Sequence, residues 1–241
     1  SMQLYFMKKD DIPVPVSAAI ILIFTFMYKV VLVFVGFGIL LFGHSILFGP
    51  LRGIHVWYGV GLFLTAGFCF MIGFFVMRSD LARRFAVWGI GKLEEKHILR
   101  KKEGRLDKVR AAMERYEITA AYFLDHKLLT LFVLILSFVQ RFILFSVTYF
   151  VYRALGGTQY SIWYIALLQS VVSLCVDLLP IPGGMGVSEL IFLSIFTGIF
   201  LPGTEVIGLA LSRGISYYVQ LFVCAVIAVI THIIFTRKKK K

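Results

Sequence analysis

Five charged side chains sit where charge is expensive. Lys29, Arg141 and Arg213 each fall inside a long apolar run, while Asp177 and Glu189 bracket a proline- and glycine-rich interruption between two further apolar runs. At the centre of a bilayer an uncompensated cation costs at least ~2.5–3.5 kcal/mol, so each needs a counter-ion, a carbonyl or water. Three cations against two anions leave one positive charge in excess. A phosphate entering the same space would neutralise it through charge-assisted hydrogen bonds, guanidinium being suited to two-pronged contact. The same residues also fit a structural ion-pair network, or long side chains whose heads reach back to the interface. Ser212, Ser216, Tyr217 and Gln220 add polar groups around Arg213, which a purely lipid-facing helix would not carry.

The interruption from Asp177 to Glu189 contains Pro180, Pro182, Gly183, Gly184, Gly186 and Ser188. A continuous helix cannot pass through it. The prolines remove backbone donors and push the preceding residues out of the helical region, and the glycines admit positive φ and close backbone approach. Broken backbone at membrane depth is tolerated only where protein or a water-filled cavity satisfies it. The apolar run from Val187 to Leu201 is 15 residues, about 22 Å of helix against a hydrocarbon thickness of about 30 Å, which predicts a short re-entrant or half-helix. Its free N–H groups and positive dipole end suit a phosphate or carboxylate, and transporters place such half-helices at substrate sites. An ordinary interfacial turn between two spans, with Glu189 in a first helical turn, fits the same residues. The candidate lipid-binding set is therefore Lys29, Arg141, Asp177, Pro182, Gly183, Gly184, Gly186, Glu189, Arg213 and Tyr217, with the glycines as a hinge.

No cofactor, metal site or catalytic residue is expected. Cys69, Cys175 and Cys224 are far apart and embedded in apolar runs, without the spacing of a zinc site or a disulfide framework, and read as packing residues. The five histidines are scattered, and no nucleophile with an adjacent base can be assigned. Gly91-Lys92 lacks the earlier glycine and the following Ser or Thr of a phosphate loop.

The elements that must position these residues follow from composition. Of 241 residues, 59% are hydrophobic and 16% charged, with a mean hydropathy of +0.88, which excludes a soluble globular domain. Apolar runs fall at Ser17 to Gly43, Trp57 to Met77, Leu128 to Val151, Ile162 to Leu179, Val187 to Leu201 and Glu205 to Phe235. The expected fold is all-α: a polytopic helical membrane protein with about five full spans plus the short piece after the Pro/Gly break. The whole chain, 1–241, reads as one transmembrane domain. Gly59, Gly61, Ala66, Gly67 and Gly73 in the second run permit close helix contacts, within one chain or between copies in a homo-oligomer.

The net charge of +12 is explained by topology. Thirteen of the 25 basic residues lie in the loop 78–127, Lys8 and Lys9 near the start, and five in the tail 236–241; Arg52 and Arg153 fall on the opposite side. That asymmetry puts the loop and both ends in the cytoplasm. The tail would sit among anionic headgroups, at roughly 1 kcal/mol per basic side chain, so no nucleic-acid partner is needed. The loop is too long for an unstructured connection and predicts two amphipathic helices. Leu81, Phe85 and Trp88 form one stripe, Leu106, Val109, Met113, Tyr116 and Phe123 another, with a break near Glu103-Gly104. Such helices lie on the leaflet or pack under the bundle.

The run Pro180-x-Pro182-Gly183-Gly184-x-Gly186-x-x-Glu189, the stretch Arg213 to Tyr218 and the opening from Ser1 to Pro13 resemble the lysylphosphatidylglycerol synthase/flippase transmembrane family, whose best-known members are the bacterial multiple peptide resistance factors. The resemblance covers the whole chain. It implies movement of anionic or aminoacylated phospholipid between leaflets of a bacterial plasma membrane, which alters surface charge and resistance to cationic peptides. It also implies that further spans precede Ser1, so an N-terminally truncated form of a longer domain is expected. In two-part members a soluble domain, following the membrane part, transfers lysine from lysyl-tRNA to phosphatidylglycerol. That phosphatidylglycerol lysyltransferase activity is the alternative function, and the expectation is that its aminoacyl-transfer domain lies outside this chain or on a partner.

Overall fold

The computed structural model describes residues 7, 12–43, 46, 49, 51, 53–78, 80, 81, 83–85, 88, 105–177, 184 and 186–238, with the backbone alone at 105–108 and 232–238. The described residues contain helices and turns and no strand. In chain order they form α1 (Val14–Phe42), α2 (His55–Met77), α3 (Arg105–Asp125), α4 (Lys127–Ala154), α5 (Ile162–Val176), α6 (Val187–Phe196) and α7 (Glu205–Arg213). A π-helical segment, Gly214–Val219, then joins α7 to α8 (Gln220–Lys238).

Four helical stretches are long and apolar enough to cross a bilayer, namely Val14–Phe42, His55–Met77, Lys127–Ala154 and Glu205–Thr231. The run expected as a fifth full span is shorter than its apolar sequence. Helix α5 has 15 residues and stops at Val176, where Asp177 is the C-cap. The half-helix is shorter too. Helix α6 has 10 residues, ends on the extended C-cap Thr197 and is followed by Gly198 at φ 88°. Every one of these long helices carries aromatic and aliphatic side chains on its outside, such as Phe34, Phe63 and Phe132, exposed by 74, 78 and 63%. Such surfaces are stable against lipid and not against water.

The chain divides into two compact units, Ser1–Val31 with Ala66–Phe138, and Leu32–Thr65 with Val139–Lys241. In the first, Ala19, Ile23 and Met27 of α1 pack with Ile72 and Val76 of α2 and with Tyr116 and Ala120 of α3. Of the stripe expected on the second loop helix, Tyr116 is buried and Met113 and Phe123 pack against this core, joined by Ala120, which the stripe did not include; the side chain of Leu106 lies outside the described residues. The Tyr116 hydroxyl donates to the Phe75 carbonyl at 3.5 Å. Leu81 of the other stripe is half-buried, while Phe85 and Trp88 are exposed. Lys8, Lys9, Arg52, Gly91-Lys92, Glu103-Gly104 and the last three lysines lie outside the described residues.

The second unit is built around α5. Ile165, Leu168, Val171, Val172 and Leu174 are buried, as are Tyr58 and Leu62 of α2 and Phe192, Ile195, Phe196 and Phe200 in and after α6. The rings of Phe192 and Phe196 stack at 4.3 Å, and Phe200 meets Phe196 edge-on at 5.7 Å. Helix α5 starts with Ser161, whose hydroxyl accepts from the Tyr164 N–H at 3.3 Å, an N-cap that satisfies one orphan donor. Helix α4 ends in a Schellman turn, Gly157 N–H bonding the Tyr152 carbonyl and Gly156 N–H that of Arg153, with Gly156 at φ 89° as that turn requires. Two of the small residues in α2 have partners within the chain. A Cβ on Gly61 would come 2.9 Å from the Leu174 carbonyl oxygen, and one on Gly73 2.9 Å from the Phe26 ring, whereas Gly59 and Gly67 face open space. Of the cysteines, Cys69 is buried, Cys175 half-buried and Cys224 exposed.

Candidate functional site

The break between α5 and α6 is where the second unit gathers its polar groups. Gly184 has φ +62°, and a Cβ there would lie 2.0 Å from Val176 Cγ1. Only glycine fits, on conformational and on steric grounds. Gly186, at φ +86°, is the N-cap of α6, and Glu189 stands at the third helical position. The Glu189 carboxylate turns back, its Oε2 accepting the Gly186 N–H. This is the half of a capping box that a glycine N-cap can make. The anion expected at this helix N-terminus is therefore, in this structure, the chain's own carboxylate. Ser188 Oγ donates to the Gly184 carbonyl at 2.8 Å, so both side chains of the first turn hold the entering loop.

Arg213 closes the arrangement from α7. It is the last residue of that helix, and its guanidinium uses both ends: Nη1 donates to Glu189 Oε1 and Nη2 to Ser188 Oγ. The side chains of Arg213 and Glu189 are 22 and 30% exposed, while Ser188 is buried. One arginine thus spans two residues of the α6 first turn. Past it the backbone widens into the π segment, in which each N–H reaches five residues back and local carbonyl geometry loosens. Ser216 Oγ donates to the Ser212 carbonyl at 2.6 Å. Ser212 Oγ is buried and, among the described residues, has no hydrogen-bond partner, an uncommon state for a polar group.

The remaining candidates are distributed. Arg141 on α4 and Asp177 at the end of α5 are half-buried, and each has an interaction of its own; the Asp177 N–H also closes α5 on the Ser173 carbonyl at 2.9 Å. Tyr217 is 39% exposed within the π segment and meets Tyr218 edge-on at 5.2 Å. Lys29 belongs to the first unit, where it is 5% exposed with its Nζ 5.4 Å from the Phe68 ring centroid and 5.6 Å from that of Tyr28. Contacts of that kind stabilise a desolvated cation. Pro182 and Gly183 lie outside the described residues. Among the described residues no group of His, Cys, Asp or Glu is arranged to hold a metal ion.

Sequence reasoning selected Glu189 and Arg213 and missed Ser188, the residue that Arg213 grips with its second nitrogen. The signal was available: Ser188 lies inside the motif and directly precedes Glu189. Ser212 appeared only as one polar neighbour of Arg213, and its buried hydroxyl could not be read from the chain.

Long apolar helices, two shorter ones and a charged cluster at a backbone break define a multi-pass helical membrane protein. The family model of the lysylphosphatidylglycerol synthase TM region matches residues 1–224. The chain belongs to that family, and its function is accordingly one concerned with membrane lipid. No curated protein and no solved structure matches it.

Proposed function

We propose that the protein binds an anionic or aminoacylated phospholipid, of the phosphatidylglycerol or lysylphosphatidylglycerol class, and moves it across a bacterial plasma membrane, with the 78–127 loop and the C-terminus on the cytoplasmic side. The observation that carries this reading is the Arg213–Glu189–Ser188 cluster, set at a broken backbone next to a π segment. In the resting arrangement Glu189 neutralises Arg213. A headgroup phosphate competes for the same guanidinium, and each carboxylate oxygen it displaces is exchanged for a phosphate oxygen of equal charge-assisting power. The freed Glu189 then meets the ammonium of a lysyl or ethanolamine headgroup. Ser212, whose buried Oγ has no hydrogen-bond partner among the described residues, precedes Arg213 in the chain and offers a further hydroxyl. Arg141 and Asp177 provide charge of both signs on neighbouring elements of the chain.

The positive-inside asymmetry of the basic residues supports the orientation. The family's description as a synthase region supports a second reading, in which this membrane part serves a phosphatidylglycerol lysyltransferase whose aminoacyl-transfer domain is encoded beyond it or supplied by a partner. The two are separated by one experiment. Proteoliposomes containing the protein are loaded with headgroup-labelled phosphatidylglycerol or lysyl lipid, and the wild type is compared with Arg213→Ala and Glu189→Gln at matched reconstitution. Fast label exchange between leaflets that is lost in either variant supports translocation. Exchange no faster than in empty liposomes, together with lysyl transfer from lysyl-tRNA, supports the enzyme.

A further inference from the structure

The segment after α2 and helix α3 enclose a charged feature that the translocation reading leaves unused. Arg83, Arg84 and Trp88 on one side, and Arg110 and Glu114 of α3 on the other, line an open surface depression of about 480 Å³; all five side chains are exposed. Arg110, Glu114 and Glu117 follow one another at intervals of four and three and so share one face of α3. Arg83 Nη1 stands 3.5 Å from Glu117 Oε2, which ties the two segments together and compensates one guanidinium. Arg84 and Arg110 remain, with Glu114 as the one carboxylate lining the depression among the described residues.

Basic side chains grouped around a concavity raise the local concentration of anions there. Guanidinium groups favour the paired oxygens of phosphate over a halide or a point charge. The depression lies close in the chain to the end of a membrane-length helix. Arg83 lies six residues beyond Met77, the end of α2, and so within about 20 Å of that end even fully extended. Phe85 and Trp88 are 57 and 59% exposed beside it, as aromatic side chains are at a membrane–water boundary.

We propose that this depression is a second, peripheral site for a phosphate-bearing anion, held by Arg84 and Arg110 against the Trp88 indole, with Glu114 accepting from a hydroxyl or ammonium next to the phosphate. A glycerol- or amine-bearing phosphodiester, as in a phospholipid headgroup, has that chemistry; a free phosphate ester shares it. The proposal does not rest on the translocation reading, because its readout is binding.

The test uses the full chain in nanodiscs of phosphatidylcholine. Trp57→Phe and Trp163→Phe remove the two other tryptophans, both more than half exposed, so that Trp88 alone reports. In one arm glycerol phosphate is titrated into the buffer; in the other the mole fraction of phosphatidylglycerol in the disc is raised. Bound glycerol phosphate is counted by equilibrium dialysis and bound lipid by native mass spectrometry, so a silent indole does not hide binding. The variant Arg84→Gln/Arg110→Gln is compared with Arg115→Gln, an exposed residue outside the lining, and circular dichroism checks helix content in each. Saturable binding is expected whose midpoint moves by about tenfold or more in the double variant, as for loss of two charge-assisted hydrogen bonds, and by less than about twofold in Arg115→Gln. Saturation with glycerol phosphate in pure phosphatidylcholine assigns a soluble ligand; saturation with phosphatidylglycerol alone assigns a lipid headgroup. Equal curves for wild type and double variant in both arms, or no bound phosphate compound in either count, overturn the site.

Discussion

Removing the charge from one side of the Arg213–Glu189 pair is expected to cost more than its share of removing both. The two side chains are 22 and 30% exposed, intermediate between a surface pair, with a median of roughly 0–1 kcal/mol, and a buried one, where loss of a partner costs roughly 3–5 kcal/mol. The hydrogen bond between them is charge-assisted, a class that contributes about 1.5–3 kcal/mol. A coupling of about 2 kcal/mol follows, roughly thirtyfold in an equilibrium constant at 1.4 kcal/mol per tenfold. Glu189→Gln leaves a partly buried guanidinium without its counter-charge. Arg213→Met leaves the carboxylate with the Gly186 N–H and Ser188 with the Gly184 carbonyl. If each single change costs about 3 kcal/mol, the double variant costs about 4, not 6. Reversible unfolding in mixed detergent micelles, followed by circular dichroism, measures all three against wild type. Additivity of the single effects to within about 0.5 kcal/mol would show that the pair contributes nothing beyond its parts, and the cluster would lose its claim to organise the break.

Gly184→Ala is expected to destabilise by about 1–3 kcal/mol, since it meets Val176 as well as an unfavourable φ, while Gly186→Ala carries the backbone penalty alone, about 1 kcal/mol; equal melting shifts would contradict this order. Tyr58→Phe removes the buried hydrogen bond to the Gly36 carbonyl at 2.5 Å, with an expected loss of about 1 kcal/mol in the same unfolding assay. Gly61→Leu drives a side chain against the α5 backbone and is expected to lower thermal stability far more than Gly59→Leu, which enters open space. Burial raises the Tyr116 phenol above its usual value, so the folded state holds that proton more tightly than the unfolded chain. Its contribution is intact below about pH 10 and lost as pH rises through the higher folded value. An alkaline melting series should show this component in wild type and not in Tyr116→Phe.

Much of this architecture is legible from apolar run length alone, because a helix satisfies its backbone internally and needs only enough lipid-compatible surface to cross. The start of α6 is legible for a different reason: prolines and positive-φ glycines act locally. Helix ends were harder. Helix α5 ends at Val176 although the apolar run goes on, and Phe200 and Leu201 lie beyond α6 because Gly198 adopts a left-handed turn, which hydropathy does not register. Pairing Arg213 with Glu189 was within reach, since few anions were available. Its second contact, to Ser188, depends on the angle at which α7 approaches α6, a tertiary quantity. The π segment left no sequence signature beyond Gly214 and its polar neighbours.

The shortness of α5 decides what its two ends meet. Fifteen residues rise about 22 Å, some 8 Å less than a typical hydrocarbon core, and both ends are closed by polar caps, Ser161 and Asp177. Along its length the helix is packed against residues of α2, α4 and α6, so the shortfall is made up by protein and not by thinned leaflets. Backbone that continues from those caps at membrane depth has to be satisfied by neighbouring protein or by water, and a short helix at the middle of a bundle is thereby a route for polarity into an apolar assembly.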